Sequence, residues 1–224
     1  MKIKIILLSF GFSIIGFSQT LDTTFGTNGG IIEKSYSTEP SYDRLSGAIL
    51  QTDGKLVYTG RSQFNNLFIA RTNSDGTFDS SFNSNGIKII ENVNIISSLN
   101  IQSDGKILIT GANVVYRLNS DGSIDNTFSN NGFKALASGV ISSNIYIQPD
   151  NKILLAGRIF NSTKFNFFIT RLNQDGSTDS GFGINGIINQ SIGIEYDTTT
   201  DLALQTDGKV LVTGYFKNGT IKGY

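Results

Sequence analysis

One phrase occurs four times along the chain, as QTDGKLVYTG from Gln51, QSDGKILITG from Gln102, QPDNKILLAG from Gln148 and QTDGKVLVTG from Gln205. The copies stand 51, 46 and 57 residues apart, so the fold must be one that a unit of this length builds by stacking on itself. Ahead of each Gln, the residues one and three positions back are apolar: Leu50 and Ala48, Ile101 and Leu99, Ile147 and Ile145, Leu204 and Leu202. That period of two marks a strand. Behind each turn run LVYTG, ILITG, ILLAG and VLVTG, short apolar stretches rich in branched side chains, as expected of a strand covered on both faces. Asp53, Asp104, Asp150 and Asp207 then sit in the tight turn of a hairpin. Asn151 replaces the Gly of the third copy, and Asn best tolerates the positive φ such a turn requires.

Two further phrases are interleaved with the first. One is LDTTFGTNGG, FDSSFNSNGI, IDNTFSNNGF and TDSGFGINGI, in which Phe25, Phe82, Phe128 and Phe182 each precede an Asn-Gly by three residues. The other is FIARTNSDG, VYRLNSDG and FITRLNQDG, carrying Asp75, Asp121 and Asp175. Each unit thus holds four antiparallel strands, the content of one propeller blade. The expected fold is all-β: a propeller of four repeats at about 21–77, 78–123, 124–177 and 178–224. The last is unfinished, giving an open arc or a fragment of a larger ring. An aromatic at the same place in every unit reads as a wedge between blades.

These linked phrases resemble the delta-60 repeats of secreted bacterial proteins, over Leu21 to about Phe216. The resemblance implies a β-propeller and export, and by itself no enzymatic activity.

The first residues, MKIKIILLSFGFSIIGFSQT, read as a signal peptide at 1–18: two lysines, an apolar run, then small residues at a cleavage position. The rest, 19–224, is expected to be secreted or at the cell surface, without a transmembrane segment, and monomeric. Loss of Lys2 and Lys4 leaves 16 basic against 18 acidic side chains, no field to hold nucleic acid. His and Cys are absent, which removes the commonest general base, the thiol nucleophile and the usual zinc ligands.

The turns raise a metal question. Asn73, Asp75, Gly76 and Asp79, with their equivalents, have three of the four features of a calcium loop. The first ligand position, however, is Arg71, Arg117 or Arg171, and a guanidinium is the natural partner of the carboxylates instead. Structural turns without metal or cofactor are expected. The unrepeated acids Glu33, Glu39, Asp43, Glu91, Glu195 and Asp197 show no catalytic spacing. A binding or structural module is therefore expected rather than an enzyme, its partner an extracellular glycan or a surface protein. The alternatives are a calcium-stabilised adhesion propeller, or a hydrolase or lyase acting at the propeller mouth. The invariant turns should share one end of the blades. The connections RSQFNN, GANV, RIFNSTKFN and YFKNGT at the other end vary, which places the candidate ligand-binding residues Arg61, Phe64, Arg158, Phe160, Lys164 and Phe165 there.

Overall fold

The computed structural model describes residues 44–62, 66–93 and 98–219, with the backbone of a last strand at Ile221–Gly223. The expected signal peptide, Phe25, Phe64, Glu33, Glu39 and Asp43 lie outside the described residues. Four antiparallel sheets follow one another. The first contains β1 (Arg44–Leu50), β2 (Leu56–Arg61), β3 (Leu67–Thr72) and β4 (Ile87–Ile90) in that spatial order. The second contains β5 (Ser98–Ile101), β6 (Ile107–Gly111), β7 (Val114–Leu118) and β8 (Phe133–Ala135). The third contains β9 (Val140–Ile147), β10 (Ile153–Phe160), β11 (Phe165–Leu172) and β12 (Ile187–Gln190). The fourth has β13 (Tyr196–Leu204), β14 (Val210–Asn218) and β15 (Ile221–Gly223). The units cut in the sequence at 78, 124 and 178 straddle these sheets, each supplying the last strand of one and the first three of the next.

β1, β5, β9 and β13 neighbour one another as the inner strands. Each sheet packs on the next, and among the described residues the arc is not closed. The core lies between the sheets, which explains the continuous apolar runs. On β6, Ile107 and Ile109 face the first sheet with Val57 and Ile69, while Leu108 faces the third sheet with Ile145, Ile153 and Leu155. On β10, Leu154 and Ala156 turn the other way, towards Leu202 of the fourth sheet. A strand with both faces covered cannot alternate in polarity.

The Gly that ends each apolar run has its own cause. The pairing of β9 with β10 shifts register between Ala156 and Gly157, and a Cβ on Gly157 would lie 2.2 Å from the Ile141 carbonyl oxygen. Gly214 meets the Thr198 carbonyl at the same distance beside the shift in β13. Only a residue without Cβ admits a bulged inner strand this close. In the hairpin turns, Gly54, Gly105 and Gly208 have φ of 81°, 82° and 82°, and Asn151 takes the equivalent place at 63°.

Candidate functional site

Antiparallel order separates the connections onto two ends. The β1–β2 turn and the β3–β4 crossing share one end, with their counterparts in the other sheets, while the β2–β3, β6–β7, β10–β11 and β14–β15 turns lie at the opposite end.

The first end carries one cluster built three times. Asp79 accepts from Arg71 Nε at 2.7 Å and Lys55 Nζ at 2.8 Å through Oδ2, and from Ser81 N and Oγ through Oδ1. Asp125 does the same with Arg117, Lys106 and Thr127, and Asp179 with Arg171, Lys152 and the Gly181 amide. Burial works against the Asp79 and Asp125 carboxylates, but their hydrogen bonds and the Arg charges outweigh it and hold both well below the usual range. Lys152, with Arg171 and the Gly181 amide, brings Asp179 to about 2. The lysines come from the hairpin phrase, so each carboxylate ties the two invariant turns of a sheet together. The oxygens a calcium ion would need from this Asp are already occupied by two cations and a turn. Asp75, Asp121 and Asp175 each accept from the Thr or Ser two residues on, and Asp53, Asp104, Asp150 and Asp207 each accept the amide of the following Lys.

This cluster also grips the next sheet. Arg71 Nη1 donates to the Ser120 carbonyl at 2.6 Å, and Asn83 N to the Asp121 carbonyl at 2.7 Å. Phe82 is fully buried under the Arg71 guanidinium, 4.9 Å away, with its ring against Gly122, where a Cβ would stand only 2.9 Å from it. The second copy repeats each contact: Arg117 Nη1 to the Gln174 carbonyl, Ser129 N to the Asp175 carbonyl, and buried Phe128 against Gly176. In the third, Arg171 lies 4.7 Å over the Phe182 ring, but Phe182 is only half-buried and no described residue accepts from the Arg171 Nη atoms.

At the opposite end, the structure brings four of the six candidate ligand-binding residues to the β10–β11 hairpin. Arg158 stacks on Phe165 at 4.5 Å, and the Phe160 and Phe165 rings lie 5.3 Å apart with Phe160 46% exposed. Asn161 orders the turn by accepting from Thr163 N, Thr163 Oγ1 and Lys164 N. Lys164 is already engaged, donating to Ser191 Oγ and the Gly193 carbonyl of the neighbouring loop. Arg61 is apart from this group, at the end of β2 in the first sheet, and Phe64 is outside the described residues.

Residues the sequence did not single out complete the surroundings. Asn166 is buried and donates to Asn189 Oδ1 at 2.9 Å, fixing the hairpin to β12. Tyr196 and Tyr215 meet edge to face at 5.7 Å. The hydrogen bond between their hydroxyls, ahead of burial, raises the Tyr196 phenol above its ordinary value, and the Arg158 charge opposes the rise. Of the unrepeated acids, Asp197 is fully buried with its oxygens accepting from the Ile192 and Gly193 amides, and Glu195 pairs with Lys217 at 2.8 Å. Both hold loops. Among the described residues no group of His, Cys, Asp and Glu is arranged to hold a metal ion.

Comparison with known proteins bears on the first end. Residues 51–82, 102–128 and 148–182 match the family described as "Domain of unknown function (DUF5122) beta-propeller". Each match begins at the Gln of a hairpin phrase and ends on Phe82, Phe128 or Phe182, so it spans the Lys, Arg, Asp and Phe of one cluster. A crystal structure of a protein of unknown function from Bacteroides caccae is similar at 13% identity, over 81% of this chain and 59% of that one, with a TM-score of 0.48. The chain therefore spans less than two thirds of that protein. No curated protein matches it. The matched repeats and the four stacked antiparallel sheets make this chain a β-propeller repeat protein.

Proposed function

We propose that the protein is an exported binding module of the delta-60 kind, without catalytic activity, whose repeat clusters hold the arc while the β10–β11 hairpin meets an extracellular glycan. The observation that carries this reading is the Arg158–Phe165–Phe160 stack: it is partly exposed, lies at the end where connections differ between sheets, and takes no part in the repeated clusters. A planar guanidinium fixed beside an exposed ring offers a sugar both an apolar face and charged donors, a combination suited to acidic polysaccharides. The calcium-stabilised alternative is disfavoured by the Lys and Arg on each repeated Asp.

The test is binding of the protein to a panel of neutral and acidic bacterial and algal polysaccharides by affinity electrophoresis. Arg158→Ala and Phe160→Ala are expected to weaken retention on acidic members at least tenfold while the melting curve stays within a few degrees. Retention unaffected by both changes would overturn the assignment of this surface. Lys164 is a poor probe, because its loss would also loosen the loop at Ser191 and Gly193.

A further inference from the structure

Among the described residues four arginines lie over an aromatic ring, and three of them belong to the repeat. Arg71, Arg117 and Arg171 stack on Phe82, Phe128 and Phe182 at 4.9, 4.5 and 4.7 Å, and each donates from Nε to an Asp oxygen at 2.7 Å. The chain thus builds one arrangement three times, a guanidinium with its face on a ring and its edge on a carboxylate. Arg158 has the ring without the carboxylate. It lies over Phe165 at 4.5 Å, and no acid among the described residues pairs with it.

This guanidinium is fixed in place. Its backbone is paired on both sides, with Phe167 of β11 and Ile141 of β9, so it rises from a strand and not from the hairpin tip. Arg61, Ala112 and Tyr215 follow the corresponding Gly in the other sheets, so the repeat itself requires no arginine there. The acids at the near end of the fourth sheet are committed elsewhere, Glu195 to Lys217 and Asp197 to the Ile192 and Gly193 amides. The phenol that feels the Arg158 charge, Tyr196, is kept neutral by its hydrogen bond to Tyr215 and then by burial. Arg158 is half-buried, which strengthens the hold of its edge on an anion relative to an open surface. Beside it the Phe160 ring, 46% exposed and 5.3 Å from Phe165, offers a bare apolar face.

We propose that Arg158 is a carboxylate subsite, and that the ligand supplies the group which Asp79, Asp125 and Asp179 supply within the repeat. The ligand is a polyuronate, with a carboxylate on the Arg158 edge and a sugar ring against Phe160. This rests on the glycan-binding reading above and narrows it to polymers that are acidic through carboxylates. The reason is shape. A carboxylate is planar and takes two parallel bonds in the plane of the guanidinium. A sulfate ester is tetrahedral, so an oxygen out of that plane is turned towards the negative face of the Phe165 ring.

Calorimetric titration of the protein tests this with tetramers of galacturonate and of mannuronate, the same tetramers with their carboxyls reduced to alcohols, a sulfated galactan tetramer and tetraglutamate. At least one uronate is expected to bind tenfold or more tighter than its reduced form, the sulfated tetramer and tetraglutamate. Arg158→Lys keeps the charge but not the planar edge, and should weaken that binding at least tenfold while the melting temperature stays within a few degrees. Equal binding of the sulfated tetramer would overturn the carboxylate assignment and leave an acidic-glycan site standing. Equal binding of tetraglutamate would overturn the sugar in favour of an acidic peptide. Undiminished uronate binding by Arg158→Lys, or equal binding of the reduced tetramers, would overturn the role of Arg158. If no sugar of the panel binds, the glycan reading fails and this proposal with it.

Discussion

Asp79 collects four hydrogen bonds in a nearly buried position, and its acidity follows from them. Because the folded carboxylate ionises below the unfolded one, its contribution to stability is complete above the unfolded value of about 4. It is lost as the pH falls through the folded value, which is about 2 for Asp179 and lower still for Asp79 and Asp125. The melting temperature is therefore expected to change little between pH 7 and about 5 and to fall steeply below about 4. In Asp79→Asn the melting temperature at pH 7 should be lower and the acid slope shallower. An unchanged slope in melts followed by circular dichroism would exclude the repeated aspartates as its source. A second residue-scale test isolates the socket. Gly122 and Gly208 share almost the same backbone, φ 84° and 82°, so either change to Ala carries a similar backbone strain of about 1–2 kcal/mol. Only at Gly122 does the new Cβ strike the Phe82 ring, for nothing lies within 4 Å at Gly208. Gly122→Ala should cost about 1–3 kcal/mol more in denaturant melts. Equal losses would mean the ring moves aside freely.

At the scale of the element, the same wedge occupies two environments. Phe82→Ala or Phe128→Ala removes a fully buried ring from between two sheets and is expected to cost about 3–5 kcal/mol. Phe182→Ala, at a half-buried copy without a socket among the described residues, should cost under about 2 kcal/mol by the same measurement. A loss at Phe182 as large as at Phe82 would show that its exposed side is covered in solution. The strands themselves were legible because their signals are local: period two before each Gln, an apolar run after it, and Asp-Gly between. The Arg–Asp pairing was legible too, from charge and spacing. Two parts were not. Lys55 comes from a different turn than Asp79, and the Arg71 guanidinium ends on the Ser120 carbonyl, 49 residues ahead, so the grip on the next sheet depends on sheet stacking that no single repeat displays. The stack of Arg158 on Phe165 likewise needed the register of β10 against β11 to bring two loop residues face to face.

For the molecule as a whole, each sheet contacts its sequence neighbours, so stability should follow a one-dimensional array in which position along the arc matters. The second and third sheets are gripped from the preceding side by a complete cluster, Arg71–Phe82 and Arg117–Phe128, and they bury Ile107, Leu108, Ile109, Ile153, Leu154 and Leu155 completely. The fourth sheet is preceded by the Arg171–Phe182 plug, which meets no socket among the described residues, and its core contribution there is Leu202 with the partly buried Leu204, Val210 and Val212. Opening it alone exposes less apolar surface and breaks no engaged cluster, so it should open at a lower free energy than the global transition. Native-state hydrogen exchange is expected to show the amides of β13 and β14 exchanging faster than those of β6 and β10, with denaturant dependence too shallow for global unfolding. Phe128→Ala should then raise exchange in the third and fourth sheets more than in the first, because it severs the grip between the second sheet and everything beyond it. Uniform acceleration across all four sheets would indicate instead that the arc unfolds as one cooperative body.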